Sequence, residues 1–142
     1  KGLSVVQGDA NYDLNDFSEN SFSTVILSQT IQATIFPERV IKNLIRIGKR
    51  AIISFPNFGF WKVRKDFFFS GKMPKNKILP YEWFDTPNIH LCSVNDFVQL
   101  CQKNRIKIND KVLLNEDGKR LWSKSFLENL LTYQVIFCVS KK

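Results

Sequence analysis

Polar side chains follow three apolar runs of the sequence, at the positions where a sheet would present them together. Asp9 follows the first run, Ser28 and Gln29 follow the second, and Asn57 follows the third. In open α/β sheets the carboxyl ends of the strands border the ligand crevice. A carboxylate there accepts hydrogen bonds from an amino group or a ribose, and an amide both donates and accepts them. These residues therefore predict a small-molecule crevice.

Each of these residues also has a structural interpretation. Asp9 directly follows Gly8 and is equally suited to a turn or a helix cap over residues 10–13. For the polar stretch of residues 28–32, spacing alone slightly favours capping of the strand end. The coincidence of three polar strand ends is more specific than any one of them.

A long connection, residues 54–90, contains aromatic residues, prolines and the sole histidine of the chain. Trp61, Tyr81 and Trp83 are candidates for the walls of a pocket, and equally for packing the connection onto the core. Histidine serves as a general base or a proton shuttle in many enzymes. No serine, cysteine or carboxylate stands at a diagnostic spacing from His90, which favours a structural role. The sequence contains no metal-ligand spacing and no phosphate-binding glycine loop.

The composition indicates one globular domain over residues 1–142, because 44% of the residues are hydrophobic and 24% are charged. The formal charge of +8 is spread along the chain, which favours a lysine-rich surface over a nucleic-acid interface. Three cysteines without a C-x-x-C pair indicate free thiols in a reducing compartment. With no signal peptide and no apolar run of membrane-spanning length, the predicted location is the cytoplasm.

Strand-like apolar runs alternate along the chain with segments that have a helical apolar face, and this alternation predicts an α/β fold. Strands are predicted over residues 3–7, 24–27, 51–55, 106–114 and 133–139. Helices are predicted over residues 37–47 and 60–69 and from Ser93 onward, with Gly48 as a left-handed stop and Gly71 as a stop. The continuous apolar strand 24–27 indicates cover on both faces. No helix of useful length is expected between the last two strands, which predicts an antiparallel pair at one edge of the sheet.

Four blocks of sequence carry a resemblance to a known family. They are residues 6–9, residues 25–33, Ser-Phe-Pro-Asn-Phe-Gly at 54–59 and Asp-Thr-Pro-Asn-Ile-His at 85–90. Together they resemble the methionine biosynthesis protein MetW family, which is similar to class I S-adenosylmethionine-dependent methyltransferases. The last two blocks are the most specific. The similarity covers nearly the whole chain.

The resemblance implies roles for individual residues. Asp9, with its neighbours Gly8 and Ala10, would bind the adenine of S-adenosylmethionine, and Ser28 and Gln29 would line the same cofactor pocket. The residues that would lie over the acceptor or form a partner surface are Asn57, Trp61, Tyr81, Trp83 and His90. His90 is the candidate for a catalytic role.

The resemblance also implies a sheet with the strand order 3-2-1-4-5-7-6, in which the last strand of the chain is antiparallel. Residues 3–7 would be its third strand, residues 24–27 its fourth and residues 51–55 its fifth. The first two strands, with the glycine-rich loop and the ribose-binding acid, would lie upstream of Lys1. The expected fold is therefore a Rossmann-like class I methyltransferase sheet that is incomplete at the N-terminus. A second copy of the chain could cover its open edge.

Two functions follow from the resemblance. The first is methyl transfer from S-adenosylmethionine to a small molecule in methionine biosynthesis. The second is non-catalytic support of a homoserine O-acyltransferase through an aromatic partner surface, since tryptophan and tyrosine are enriched at binding hot spots. Nucleic-acid binding through the basic surface is a distant third.

Overall fold

Strands and helices alternate along the chain in the computed structural model, which describes residues 2, 5, 7–77, 79–123 and 125–142. The strands are β1 (Val25–Ser28), β2 (Ala51–Pro56), β3 (Ile106–Leu114) and β4 (Gln134–Lys141). The helices are α1 (Pro37–Ile47), α2 (Trp61–Ser70), α3 (Val94–Lys103) and α4 (Ser125–Leu131), with short 3-10 turns at Asp13–Asp16 and Ile31–Ala33. Among the described residues no helix is long and apolar enough to cross a bilayer.

The four strands form one sheet in the order β1-β2-β4-β3. β1 and β2 are parallel, with Val25 opposite Ala51. β4 runs antiparallel to both of its neighbours, and a bulge interrupts its pairing with β3 between Ile108 and Asp110. This order matches strands 4-5-7-6 of the expected sheet and confirms the predicted antiparallel pair. β1 lies at one end of the sheet as described.

The core lies on one face of the sheet, where α1 and α3 pack against alternate residues of the strands. α1 contributes Val40, Ile41 and Leu44 to this buried cluster. At its centre three rings meet. Phe97 of α3 lies 5.1 Å from Phe55 of β2 and 4.6 Å from Phe137 of β4, measured between ring centroids. These contacts hold α3 onto the middle of the sheet.

The other face is less well covered than the sequence predicts. Ile26 of β1 is 66% exposed, although the run 24–27 indicates a strand buried on both faces. Successive side chains of a strand point to opposite faces, and α1 and α3 both lie on the face of Leu27. The prediction of cover on both faces is therefore wrong for the described structure.

Local signals predict the helix ends well. Pro37 opens α1, and Gly71 ends α2 with a left-handed φ of +63°. At the start of α3, Ser93 accepts a hydrogen bond from the backbone of Asp96, whose carboxylate in turn accepts one from the backbone of Ser93. This reciprocal capping box is the one that the sequence predicts.

Two of the local predictions are wrong, and a third cannot be compared with the structure because it concerns residues that the structure largely does not describe. Gly48 follows α1 in an extended conformation, with φ of −114°, and not in the left-handed one. Its lack of a side chain serves a close approach instead, because a Cβ there would lie 2.5 Å from Cγ2 of Val25. The seven-residue helix α4 lies between the last two strands, where no helix was expected. The predicted strand 3–7 falls largely outside the described residues.

Candidate functional site

A crevice lies at the carboxyl ends of β1 and β2, where parallel strands of such sheets present their ligand-binding residues. It encloses about 540 Å³. The chain after β1 supplies Gln29 and Gln32, the long connection supplies Lys77 and Tyr81, and the approach to β4 supplies Tyr133. Because these elements are distant in sequence, the fold alone assembles the crevice.

Gln29 stands at the mouth of this crevice in a strained conformation. Its φ is +50°, a left-handed value that non-glycine residues adopt rarely. Its backbone N–H donates to the backbone oxygen of Ser54 at 2.9 Å and to Oγ of the same serine at 3.2 Å. Oγ of Ser28 lies 3.3 Å from that Oγ. Ser54 therefore holds the end of β1, and the side chain of Gln29 is left to line the crevice.

Gln32 is a crevice residue that the sequence reasoning did not single out. It is 6% exposed, and its Nε2 donates to the backbone oxygen of Gln29 at 3.0 Å. Its own backbone oxygen accepts from the N–H groups of Ile89 and His90, both at 2.9 Å. Its Oε1 is buried without a partner in the described part of the chain. Its place within the polar stretch 28–32 was the available signal.

Asp9 lies in a different cavity, of about 390 Å³, together with Gly8 and Ala10. Its Oδ1 accepts hydrogen bonds from the backbone N–H and from Nδ2 of Asn11, both at 2.8 Å. Its backbone N–H donates to Oδ2 of Asp13 at 2.6 Å. The turn over residues 10–13 is thus present. The predicted cofactor pocket requires Asp9 and Gln29 to lie in one cavity. The structure places them in two different cavities.

Asn11 connects the Asp9 turn to the rest of the molecule. Its side chain is buried, and its Oδ1 accepts hydrogen bonds from the backbone N–H groups of Ile35 at 2.8 Å and Phe36 at 3.3 Å. These residues precede α1. The position of Asp9 therefore depends on a residue that no sequence motif identified.

Asn57 belongs to the framework and does not face the crevice. It is 0% exposed. Its Nδ2 donates to the backbone oxygens of Asn129 at 2.9 Å and Thr132 at 2.8 Å. Its Oδ1 accepts from the backbone N–H groups of Gly59 at 3.0 Å and Val94 at 3.2 Å. With its carboxamide fully used inside the protein, Asn57 has no group left for a ligand, which corrects its predicted place.

The other predicted residues of the connection separate into two groups. Tyr81 lines the crevice, whereas Trp61 and Trp83 are exposed and are not among the residues that line it. His90 is half-buried and lies outside the crevice lining, with Nε2 3.4 Å from the backbone oxygen of Ile35. Together with its backbone bond to Gln32, this contact supports the structural interpretation of the histidine.

The three cysteines are free, and two of them lie in apolar surroundings. Burial raises the pKa of the Cys92 thiol to about 12, with a smaller contribution from the charge of Asp96. Burial alone raises the pKa of Cys101 to about 11. Both groups are therefore thiols at neutral pH and are not nucleophiles.

Thiol labelling will test this assignment. Cys92 and Cys138 are both partly exposed. At about pH 8 we expect iodoacetamide to modify Cys138 well before Cys92, because each unit by which the pKa of Cys92 is raised lowers its thiolate fraction about tenfold. Mass spectrometry of timed samples measures the order. In concentrated guanidinium the three rates should converge. Equal labelling of Cys92 and Cys138 in the native protein would contradict the assignment.

The strand order and the crevice at the carboxyl ends of the parallel strands define the class I methyltransferase fold, and solved structures bear this out. The chain is similar to a SAM-dependent methyltransferase of Thermotoga maritima, titled a possible histamine N-methyltransferase, with a TM-score of 0.64 and 17% identity. It is also similar to a SAM-dependent methyltransferase of Archaeoglobus fulgidus, with a TM-score of 0.60 and 12% identity. The matches cover 99% and 98% of this chain, and 65% and 68% of those chains.

Within this class the family is also clear. Residues 1–139 match the family model described as methionine biosynthesis protein MetW, and the chain belongs to that family. A curated relative is the bifunctional methionine biosynthesis protein MetXA/MetW of Rhodopirellula baltica, which is 31% identical over 123 residues. The match covers 85% of this chain and 20% of the relative. The chain thus spans about a fifth of the curated relative.

Proposed function

We propose that residues 1–142 are the C-terminal portion of one methyltransferase-like domain, in an S-adenosylmethionine-dependent methyltransferase-type protein of methionine biosynthesis. The observation that carries the proposal is the crevice, where Gln29, Tyr81 and Tyr133 converge at the carboxyl ends of β1 and β2. Ligands bind at this place in open α/β sheets. The family and the free cysteines support a site of action in the cytoplasm.

The described residues fit the adenine end of the cofactor. The carboxylate of Asp9 can accept a hydrogen bond from an adenine amino group at its Oδ2, since its contacts within the protein engage Oδ1. Leu14 and Phe17 line the same cavity and can pack against a purine ring.

S-adenosylmethionine supplies an electrophilic methyl group when it is bound. The residues of this chain orient the acceptor. Tyr81, Tyr133 and Gln29 line the crevice, and the hydroxyl and amide groups of such side chains can fix a polar acceptor in one orientation. Orientation of this kind accounts for much of the rate of a group transfer. No catalytic base is assigned, because His90 lies outside the crevice lining.

Titration calorimetry on the full-length gene product tests the proposal. We expect saturable heat with S-adenosylmethionine. Asp9→Asn should weaken binding of S-adenosylmethionine about tenfold. It removes the negative charge that accepts the adenine hydrogen bond, and it keeps the side-chain oxygen that accepts the hydrogen bond from Asn11. Asp110→Asn, at an exposed position of β3, is the matched control and should bind normally. No heat with the unaltered protein would refute the proposal.

A second candidate is a non-catalytic partner of a homoserine O-acyltransferase. The relative named MetXA/MetW favours it, since the name joins the two proteins in one bifunctional chain. A covalent link between two proteins is useful when they act in contact, because it raises their effective concentration. Acyltransferase activity with and without the full-length protein distinguishes the candidates. Stimulation in the absence of S-adenosylmethionine supports the partner role, and no binding or stimulation excludes it. Pairing of two copies through the open edge of β1 stays a prediction.

A further inference from the structure

An apolar groove of about 400 Å³ lies beside α2, separate from both the crevice and the Asp9 cavity. Its floor consists of Phe58, Val63 and Leu79, which are buried and form a small core cluster of their own. Phe67 and Met73 lie on its rim and are about half exposed. A floor that is buried and a rim that is exposed give the groove a defined shape for an apolar side chain.

Exposed rings extend this apolar surface beyond the groove. Phe68 and Phe69, at the end of α2, are 81% and 79% exposed and pack edge to face at 5.2 Å. Trp83, later in the same connection, is 73% exposed. Exposed apolar surface of this extent on a folded protein marks an interaction site. We call Phe67, Phe68, Phe69, Met73 and Leu91 the α2 surface.

The segment that carries the α2 surface has an excess of positive charge, although Asp96 lines the groove beside Arg64. Between residues 61 and 84 the chain has six lysine or arginine residues and two carboxylates. One carboxylate, Glu82, is paired with Lys75. Lys65 lies over the ring of Trp61 at 5.9 Å and so keeps its charge near the aromatic residues. A complementary surface would present an apolar anchor flanked by carboxylates.

We propose that the α2 surface docks the homoserine O-acyltransferase, through an apolar side chain of that enzyme with acidic residues around it. The inference rests on the second of the proposed functions. A groove with a fixed, buried floor suits one inserted side chain better than it suits a lipid surface, which favours a convex ring of aromatic residues. The bifunctional relative supports an acyltransferase as the occupant.

Affinity measurements between the full-length protein and the acyltransferase of the same organism test the surface. The double variant Phe68→Ser/Phe69→Ser should weaken binding at least tenfold, because buried aromatic anchors dominate such interfaces. Both rings are exposed, so the fold should tolerate the change. Trp122→Ser, which removes an equally exposed ring from the segment after β3, is the matched control and should bind normally. Lys72→Glu should also weaken binding and Lys107→Glu should not, because Lys107 lies at the start of β3.

The outcomes distinguish failure of the docking surface from failure of the partner role on which it rests. Binding by the unaltered protein that the double variant retains would overturn the α2 surface and leave the partner role intact. Absence of binding by the unaltered protein would overturn both. Vesicles of neutral and anionic phospholipid, and sedimentation of the protein alone, complete the test. Loss of vesicle binding or of self-association in the double variant, with acyltransferase affinity unchanged, would assign the surface to a membrane or to a second copy and overturn the proposal.

Discussion

Phe97→Ala should lower the free energy of unfolding by about 3–5 kcal/mol, the usual cost of removing a buried ring. The Phe97 ring is almost fully buried and stacks on Phe137 at 4.6 Å while it meets Phe55 at 5.1 Å. Its loss removes apolar contacts and leaves a cavity between α3 and the sheet. The neighbouring rings belong to paired strands, so they cannot collapse into the space.

Urea unfolding followed by circular dichroism measures this effect, with the change read from the midpoint at a constant slope. Phe68→Ala is the matched control, since it removes the same ring from an 81% exposed position. It should change the stability by less than about 0.5 kcal/mol. A similar small change for both variants would mean that α3 does not pack on the sheet as described.

Asn57→Ala should cost about 3 kcal/mol, a large effect for a polar side chain. The variant leaves the N–H groups of Gly59 and Val94 and the backbone oxygens of Asn129 and Thr132 without their side-chain partner. Each buried group without a partner is costly, because it loses water on folding and gains nothing in return.

Asn109→Ala is the control for Asn57. Asn109 is exposed on β3 and bonds Oγ of Ser140 at 2.9 Å, so water can replace that contact. Its loss should change the stability by less than about 0.5 kcal/mol. Hydrogen exchange adds a local readout, since Asn57→Ala should expose the amides of Gly59 and Val94 first. Normal stability and protection in Asn57→Ala would return this residue to the candidates for ligand binding.

Elements whose signal is local were the ones that the sequence predicted correctly. The apolar face of α1, the capping box of Ser93 and Asp96, and the end of α2 at Gly71 each depend on residues within one or two turns. Gly48 failed for the opposite reason. Gly48 is required by its close approach to Val25, a residue of another element, and a local sequence pattern cannot predict that contact.

The candidate site shows the same division. Asp9, Gln29 and Asn57 all follow apolar strand-like runs, so the sequence places them alike. The structure puts them in three different situations, a turn with its own cavity, the mouth of the crevice, and a buried framework. Hydrogen bonds to α4 and α3 decide the last of these, and both helices come later in the chain.

By itself, the sequence determined the family, the alternation of strands and helices, and the residue types available to a crevice. These properties depend on side-chain periodicity and on short motifs, which are local. Only the tertiary structure decided which polar groups face a ligand and which aromatic rings reach the surface, because burial and hydrogen-bond partners come from residues distant in sequence. For this reason Asn57 became part of the framework, Gln32 joined the crevice, and the end of α2 became a docking surface in the proposal.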